Sequence, residues 1–444
     1  MAVVNSLSLK IYEFKQDLVE FFQYGVRPVA WVFSFPLFVV SCVLLHLNRP
    51  ALSFNLMSKV FRTGWAGSAG LGQAYLRYFR KRSGQFSALL DEFIHEVEPL
   101  PNTKKFFEHP EKFFNGVLLV LAPATEAGKG VIVLKYSYYF ALFFKLFDVA
   151  KIAQRYHIVL EPSWAGYIDL SILCFLKLDE PVFVMTYEGR DKALLESLNS
   201  NLIPVEVGPN WWVNHNMFKA AEQDKDFDLI MVASWSKFKR HHKVFRSIAA
   251  LNKKGHKLQL ALVGYDGDLS LPVIEQMLAA YGLRAQTHIY NKVPPSEVAE
   301  LLSRSKINLL WSRFEGNNRG IIEGMFCDVP CIVRKGHNYG EHYQYINAET
   351  GCFATDGNLD EAILGLLARR EQMSPRGYVM SAHTYDNALD KLVDVIKANA
   401  EPDLERADLV AKVNELDGMK YLIPNGRERF THDFAFIQAQ ILKQ

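Results

Sequence analysis

Short apolar runs alternate with amphipathic segments from about residue 117 to residue 353, and this alternation leaves few architectures open to the chain. The strand candidates are the runs 117–122, 157–160, 181–185, 202–207, 228–233, 258–263, 286–290, 307–311, 331–333 and 352–353. Helical periodicity lies between them, for example at 242–253 and 295–303. Strands that alternate with helices form parallel sheets with helices on both faces. Because the pattern restarts after Asp226, we expect an α/β protein with two doubly wound domains and a boundary near Lys225.

This pattern predicts a chain of four parts. They are a helical region at 1–110, a first Rossmann-like domain at 111–226, a second Rossmann-like domain at 227–395 and a helical tail at 396–444. A hydrophobic content of 49% and a charged content of 22% fit a globular protein. The net charge of +2 is small, so we expect no nucleic-acid partner.

The first part contains a segment of twenty residues, Pro28 to Leu47, that carries no formal charge. This is about the length that a helix needs to cross the core of a bilayer. The alternative is a buried helix in a soluble core, and two residues favour it. Pro36 would kink a helix, and His46 is unfavourable in lipid.

The flank that follows favours a membrane. Its basic residues are Arg49, Lys59, Arg62, Arg77, Arg80, Lys81 and Arg82, and it contains no Asp or Glu as far as Ser87. Basic residues beside an apolar segment are attracted to anionic lipid, at about 1 kcal/mol each near the surface. The positive-inside rule then places the residues after 48 at the cytoplasmic face of the membrane. A single span and a kinked interfacial anchor both fit this pattern.

The clearest candidate site follows the strand 307–311. In doubly wound sheets, ligands bind outside the carboxyl ends of strands, where loops lead into helices. The loop here contains Glu315, and the helix predicted from Arg319 to Phe326 contains Glu323. Either Asn317 or Asn318 can cap that helix. Glu323 can accept both hydroxyls of a ribose, and Glu315 can accept hydroxyls of a second sugar.

The alternative for these glutamates is an ordinary exposed loop and helix. Glu323, however, stands between Ile321-Ile322 and Met325-Phe326. An unpaired carboxylate is costly in such apolar surroundings, which favours a binding role.

These residues resemble the signature of family 4 glycosyltransferases, which are of the group 1 type. The family's pattern has Glu-Gly, then a second Glu after a seven-residue spacing, then Ala-Met-Ala, a small residue and Gly-x-Pro-Val-Ile. Glu315 and Glu323 match its two glutamates, while Gly324 replaces the usual Ala and Asp328 the usual Gly. The resemblance covers about 228–370 well and 115–225 loosely. It implies a GT-B fold, with 111–226 as the acceptor domain and 227–395 as the nucleotide-sugar domain.

The same resemblance implies a cation for the donor diphosphate. The family has a Lys-Gly pair here, usually preceded by an Arg, and Lys239 aligns with its Lys. We expect Arg240 to assist, since Ser234 or Trp235 holds the position of the customary Arg; Lys237 or Lys243 are alternatives. Cations at the start of a helix oppose its dipole and favour a bound anion.

The predicted site is then complete. The expected catalytic residues are Lys239, Arg240 and Glu315, and the expected donor-binding residues are Glu323, Gly316, Asn317, Asn318, Gly264, Ser234, Gly128 and Gly130. Gly128 and Gly130 match the family's glycine loop near the diphosphate. Asp266 and Asp268 form an Asp-x-Asp pair. Because enzymes of this fold generally work without a divalent ion, we expect no essential metal and no cofactor.

The function implied is retaining transfer of a sugar from a UDP- or GDP-linked donor. We expect the acceptor to be a lipid-linked or other glycan at the cytoplasmic face of an anionic membrane. Two alternatives remain. A sugar-nucleotide epimerase would need no anchor, and a catalytically silent binding or scaffold protein would fit the missing Arg. No first-domain His matches the family's, because His157 opens a strand.

Overall fold

The structure, a computed structural model, describes residues 6–22, 29–126, 128–162, 164–221, 223–336 and 343–442. The helices of these residues are α1 (Ser6–Glu20), α2 (Trp31–His46), α3 (Pro50–Thr63), α4 (Ser68–Arg80), α5 (Ser83–His95), α6 (Lys104–Glu108), α7 (Phe140–Leu146), α8 (Val149–Arg155), α9 (Leu170–Leu173), α10 (Gly189–Leu198), α11 (His241–Lys253), α12 (Leu271–Ala280), α13 (Pro295–Ser303), α14 (Arg319–Phe326), α15 (Leu359–Arg369), α16 (Pro375–Ala382), α17 (Tyr385–Asn399) and α18 (Thr431–Gln438). The strands are β1 (Leu118–Ala122), β2 (Gly130–Lys135), β3 (Tyr156–Glu161), β4 (Val182–Met185), β5 (Leu202–Val205), β6 (Phe227–Val232), β7 (Leu260–Gly264), β8 (Thr287–Asn291), β9 (Ser305–Leu310), β10 (Cys331–Arg334), β11 (Gly351–Ala354), β12 (Lys412–Glu415) and β13 (Gly418–Tyr421).

The chain divides into two compact units. Unit 1 comprises 1–26 and 213–384, and unit 2 comprises 27–212 and 385–444. The boundary between the sheets therefore lies at 212/213, whereas the sequence pattern predicted it at 226/227. The region expected to be a separate helical part at 1–110 is shared between the units, and the tail belongs to unit 2. Helix α1 packs Leu9 into the core of unit 1, whereas α3, α4 and α5 pack into the core of unit 2.

Unit 1 is built on a fully parallel sheet in the order β8-β7-β6-β9-β10-β11. In chain order this is 3-2-1-4-5-6, the doubly wound arrangement, in which the strand order reverses between β6 and β9. Side chains alternate across it, with Leu229 and Met231 in one apolar cluster and Ile230 in the other. Helices α11, α12 and α15 cover the first face, and α13, α14 and α16 contribute to the second.

Unit 2 contains a sheet in the order β1-β2-β3-β4-β5, in which β1 is antiparallel to β2 and the remaining strands are parallel. Its strands alternate as well, because Ile158 and Leu160 face one cluster and Val159 the other. The helices between the strands and α3–α5 cover one face, and α17 covers the other. The predicted α/β class, with two Rossmann-like units, is confirmed.

Helix α2 occupies most of the predicted uncharged segment and has an unusual distribution of side chains. It is 16 residues long, and no helix among the described residues has the length and apolarity to cross a membrane. Ser34 and Ser41 are fully buried, whereas Val32, Phe33 and Val43 are 59%, 50% and 49% exposed. The two buried serines face the protein together with Leu45, and large apolar side chains of the helix face outward.

Candidate active site

Two loops of unit 1 meet where the strand order of its sheet reverses. One follows β6 and ends at Arg240, and the other follows β9 and ends at Asn318. The Lys239 Nζ atom donates a hydrogen bond of 2.5 Å to Glu315 Oε1. The side chains of Lys239 and Glu315 are only 11% and 9% exposed. The structure thus brings together two of the three predicted catalytic residues, at the edge of the sheet where ligands bind in such folds.

Contacts between the loops fix this ion pair. The Arg313 backbone N–H donates to the Phe238 carbonyl at 2.6 Å. The rings of Phe238 and Phe314 stack with centroids 4.8 Å apart. The Ser312 hydroxyl also donates to Glu315 Oε1. Because both loops are held by backbone and ring contacts, the ammonium and the carboxylate are preorganised rather than loosely placed.

Glu323 lies on the helix that follows the second loop. Asn318 caps α14, since its Oδ1 accepts the Ile321 N–H at 3.2 Å, so of the two predicted caps Asn318 is the one observed. Arg319 donates to Glu323 Oε1 from Nη2 at 2.9 Å and from Nε at 3.2 Å. Within the described parts of the chain, Glu323 Oε2 accepts no hydrogen bond. It is therefore the oxygen that can accept hydroxyls of a ligand.

Two other predicted donor-binding residues belong to the same loop, Gly316 and Asn317. The Gly316 carbonyl accepts the hydroxyl of Tyr343 at 2.5 Å, which ties the loop to the chain beyond β10. Asn317 follows directly and precedes the cap. The structure therefore keeps 315–318 together as one turn between β9 and α14.

Arg240 has a different role from the one predicted. Its side chain is fully buried, and its Nε and Nη2 each lie 2.6 Å from an oxygen of Glu20 on α1. Its Nη1 and Nη2 also donate to Asp356 at 3.0 and 2.5 Å. A guanidinium committed to two carboxylates inside unit 1 cannot also contact a diphosphate. The prediction that Arg240 assists the diphosphate clamp is therefore not supported by the geometry.

The carboxylates around Arg240 form a cluster that the sequence pattern did not indicate. Glu20 lies 3.5 Å from Arg313 Nε and 3.7 Å from Arg334 Nη2. Burial raises the pKa of Asp356, but the hydrogen bond and charge of Arg240 outweigh it and lower that pKa to about 2. These acidic groups neutralise part of the basic charge at the start of α11. The sequence pattern had predicted that this charge favours a bound anion.

Lys243, another expected substitute for the missing Arg, pairs with Asp17 of α1. Lys237 is 46% exposed and lies 3.8 Å from Asp268. Lys239 is therefore the cation of 237–243 that faces the second loop.

Gly264 and Ser234 lie at the ends of β7 and β6, beside the first loop. A Cβ atom on Gly264 would lie 2.2 Å from the Ala233 carbonyl oxygen and 2.8 Å from the Trp235 ring. Glycine is required here for the close approach of two chain segments, which is a structural reason for it. The Ser234 hydroxyl lies 3.0 Å from the Ser236 hydroxyl.

The Asp-x-Asp pair is held by the protein itself. Asp266 Oδ1 accepts the Leu271 N–H at 3.1 Å, and Asp268 Oδ1 accepts the Lys237 N–H at 2.8 Å. Among the residues that the structure describes, no group of three His, Cys, Asp or Glu side chains is arranged to hold a metal ion.

Gly128 and Gly130 lie on the wrong edge of their sheet for the predicted role. The loop that contains them joins β1 to β2, and Gly130 pairs with Tyr156, the first residue of β3. This is the edge where the parallel strands begin, opposite the carboxyl ends at which ligands bind. A Cβ atom on Gly130 would lie 2.7 Å from the Ala122 carbonyl oxygen, so the hairpin explains this glycine. The expected diphosphate contact of the two glycines is contradicted by this topology.

The carboxyl ends of the strands in unit 2 carry a buried network instead. Glu161 accepts hydrogen bonds from Lys412 at 2.6 Å and Asn414 at 2.7 Å. Burial raises the pKa of Glu161, but Lys412 and Lys135 outweigh it and lower that pKa to about 2. After β4, burial, with a contribution from the charge of Asp191, raises the pKa of Glu188 to about 9. Glu188 is half-buried and begins the polar loop 188–191 that follows this strand.

Residues 213–376 match the family model described as glycosyl transferases, group 1. The matched segment contains both loops, Lys239, Glu315 and Glu323. The resemblance of this part of the chain to group 1 glycosyltransferases is confirmed, and the narrower assignment to family 4 stays a prediction. A sequence search of curated proteins finds no match.

Several solved structures are similar to this chain. S. aureus TarM, as a mutant in complex with fondaparinux, alpha-GlcNAc-glycerol and UDP, has 13% identity and a TM-score of 0.47, with 59% of this chain and 55% of TarM covered. Sucrose-phosphate synthase from Thermosynechococcus elongatus has 16% identity and a TM-score of 0.47, with coverages of 60% and 73%. Anabaena HepE in complex with UDP has 12% identity and a TM-score of 0.48, with coverages of 60% and 78%. The chain spans about half the length of TarM.

Proposed function

We propose that the chain transfers a sugar from a nucleoside diphosphate donor bound at the Lys239–Glu315 pair. One observation carries the proposal. This buried pair lies at the carboxyl ends of β6 and β9, where the doubly wound order reverses, inside the segment that matches the group 1 family. Ligands of doubly wound sheets bind at that point. The proposal includes retention of configuration and a UDP- or GDP-linked donor, both taken from the family 4 resemblance, and requires no metal.

Each side chain of the pair has a task in this proposal. A diphosphate carries more negative charge than one carboxylate, so the Lys239 ammonium can exchange Glu315 for a phosphate oxygen. Glu315 is then able to accept hydroxyls of the donor sugar. Lys239 next stabilises the negative charge that develops on the leaving diphosphate as the bond to the sugar breaks. Glu323 accepts the ribose hydroxyls through Oε2.

The acceptor in this proposal is a lipid-linked or other glycan at the cytoplasmic face of a membrane. The outward apolar side of α2 supports it, since Val32 and Val39 are 59% and 42% exposed while Ser34 and Ser41 are buried. Exposed basic residues follow that helix: Arg49, Lys59, Arg77 and Lys81. Apolar side chains next to basic ones are typical of a helix that lies in the interface of an anionic membrane. We therefore propose that α2 lies in the membrane interface rather than crossing it.

Calorimetric titration tests the donor site. Wild-type protein and the Glu323→Gln variant are each titrated with UDP-, GDP- and ADP-linked sugars. We expect one nucleotide series to bind, and the variant to bind at least about tenfold more weakly because a charged acceptor is lost. Glu361→Gln, on the exposed side of α15, is the matched control and should bind as wild type. Equal binding by Glu323→Gln, or no binding of any donor, would overturn the site assignment.

Product analysis then separates transfer from the two alternatives. Transferase activity releases free nucleoside diphosphate only when an acceptor is present. An epimerase changes the donor sugar without an acceptor. A silent binding protein binds the donor but neither releases nucleoside diphosphate nor changes the sugar.

Flotation with phosphatidylcholine–phosphatidylglycerol vesicles tests the attachment. Val39→Glu combined with Val43→Glu on α2 should lower the floating fraction, because two charges enter the apolar side. Leu416→Glu changes a side chain that is 68% exposed in the turn between β12 and β13, and it should have no effect. Unchanged flotation of the α2 variant would remove the support that α2 gives to a membrane acceptor.

A further inference from the structure

We infer that the outward face of α1 binds an anionic lipid surface and gives unit 1 a membrane contact of its own. The inference rests on the proposed membrane association of the chain, but it concerns a different helix in the other unit. Its structural basis is the way in which α1 divides its side chains between two faces.

The inner face of α1 carries all of its carboxylates. Glu13, Asp17 and Glu20 are spaced by four and three residues, so they lie on one side of the helix. Glu20 pairs with Arg240, Asp17 with Lys243, and Glu13 with Arg246 at 2.6 Å.

Apolar contacts complete this inner face. Leu9 is buried in the core of unit 1, and the Tyr12 ring meets the His242 ring edge-on at 5.3 Å. The helix is therefore firmly docked, and its orientation on unit 1 is fixed.

The outer face of α1 is apolar and has basic edges. Ile11, Phe14 and Leu18 are 48%, 67% and 45% exposed and share one side of the helix. Phe21 and Phe22 continue it at 56% and 60% exposed. Two exposed lysines, Lys10 and Lys15, flank this stripe. All three carboxylates of α1 pair with basic residues of unit 1, and Asp17 stays 46% exposed at the border of the two faces. The apolar stripe itself contains no acidic residue.

No comparable surface exists elsewhere among the described residues of unit 1. Outside α1 and the two phenylalanines that follow it, the exposed large hydrophobic side chains there are Met217, Tyr265 and Met380, at 37%, 46% and 37%, and they are separated in sequence. Contiguous exposed apolar surface marks an interaction site. An apolar stripe with lysines at its edges matches an interfacial helix on anionic lipid. A second copy of the chain is disfavoured as the occupant, because a twofold contact would bring the same lysines towards each other.

Vesicle flotation of the full chain tests the inference. The α1 variant combines Phe14→Glu with Leu18→Glu, and the α2 variant is again Val39→Glu with Val43→Glu. The matched control combines Tyr265→Glu with Met380→Glu on unit 1. On phosphatidylcholine–phosphatidylglycerol vesicles we expect the α1 variant to bind at least about tenfold more weakly than wild type, because the stripe supplies apolar contact. The control should bind as wild type.

The lysines give a second, gentler test. Lys10→Gln combined with Lys15→Gln should weaken binding to the anionic vesicles by about fivefold per lysine and leave binding to pure phosphatidylcholine unchanged. Thermal unfolding midpoints equal to that of wild type would show that α1 remains docked in these variants.

The outcomes separate this inference from the attachment through α2. Loss of binding in the α1 variant supports the inference whatever the α2 variant does. Loss in the α2 variant alone overturns the inference and leaves the proposed attachment through α2 intact. A change of oligomeric state in light scattering, with vesicle binding unchanged, would assign the stripe to a second copy and also overturn it.

Discussion

Arg240 and Asp328 both adopt a left-handed backbone conformation, with φ of 58° at each. These are the two positions where the family 4 pattern has glycine, in its Lys-Gly pair and in its Gly-x-Pro. Only glycine adopts this conformation without steric strain, and other residues lose about 1 kcal/mol or more. The coincidence supports the alignment that identified Lys239 as the clamp. It also shows that a glycine position can be predicted from the pattern while the role of the residue that replaces glycine cannot.

Gly324 shows the reverse case, in which glycine stands where the family has alanine. A Cβ atom there would lie 2.5 Å from Asn308 Nδ2, and that nitrogen donates to the Gly320 carbonyl at 2.7 Å. We expect Gly324→Ala to destabilise the protein by about 1–3 kcal/mol, since overpacking a filled site has that effect. Urea unfolding measures it.

A second substitution isolates the cause. Gly324→Ala combined with Asn308→Ala should recover most of the lost stability, because the clash is removed. Gly365→Ala is the control, since it lies in α15 with no atom within 4 Å of the added Cβ. It should be neutral or stabilising by up to about 1 kcal/mol from helix propensity. Destabilisation at 365 equal to that at 324 would contradict the explanation.

Lys239 is the residue on which donor affinity should depend most. Lys239→Met removes the ammonium, whose Nζ lies 4.9 Å from the centroid of the Phe238 ring, and keeps much of the apolar stem of the side chain. We expect nucleoside diphosphate binding to weaken by about 10- to 100-fold, the range for a charge-assisted hydrogen bond of 1.5–3 kcal/mol. Calorimetry measures it, and Lys253→Met at the far end of α11 should change nothing. Binding within twofold of wild type would disprove the clamp.

Among the elements, α1 is the one whose position sequence reasoning did not predict. Its carboxylates pair with basic residues more than 200 positions away, as with Glu20 and Arg240 at a separation of 220 residues. Such pairings leave no local pattern. The strands β6, β7 and β9 and helix α14 were predictable, because period and capping are local properties of the sequence. The prediction that the glycine loop at 128–130 contacts the diphosphate failed, because a short motif does not reveal that β1 runs antiparallel to β2.

The docking of α1 should depend on Glu20 more than on its neighbours. Glu20→Ala leaves Arg240 buried with a single carboxylate partner, and the loss of one member of a buried pair destabilises by about 3–5 kcal/mol. We expect a clear decrease in the thermal unfolding midpoint.

Asp17 provides the comparison, since its side chain is 46% exposed where it pairs with Lys243. Partly exposed pairs contribute less than buried ones, so Asp17→Ala should destabilise the protein less than Glu20→Ala, although Lys243 is buried. Similar losses in both variants would show that Glu20 has no special role.

For the whole molecule, acid should affect the two units over different pH ranges. Burial lowers the pKa of His241 to about 3 and that of His242 to about 2. Both rings are neutral when folded and gain protons on unfolding below pH 6.5, so unit 1 loses stability as the pH falls from 6.5. At pH 4.5 each histidine lowers the free energy of unfolding by about 2–3 kcal/mol relative to neutral pH. Glu161 of unit 2 has a pKa of about 2, so its contribution to the stability of the folded protein is lost only below pH 4.5.

Urea unfolding at pH 7 and pH 4.5 checks this expectation. His241→Leu should reduce the loss of stability between the two values, because the buried ring no longer titrates. His256→Gln changes an exposed histidine of the same unit and should keep the wild-type pH dependence. If His241→Leu loses as much stability as wild type on acidification, the buried His241 ring is not the cause of the acid-induced loss.

The division of the chain also determines the order in which a growing polypeptide can complete its parts. Residues 213–384 form one continuous stretch between the two segments of unit 2. The ribosome therefore finishes the glycosyltransferase domain before it supplies α17 or the partner of Glu161, which is Lys412. Until then the nascent unit 2 has an uncovered apolar sheet face and a carboxylate without that counter-ion. Chains that terminate near residue 384 should therefore be recognised by chaperones and proteases as unfinished, although all residues of unit 1 are present.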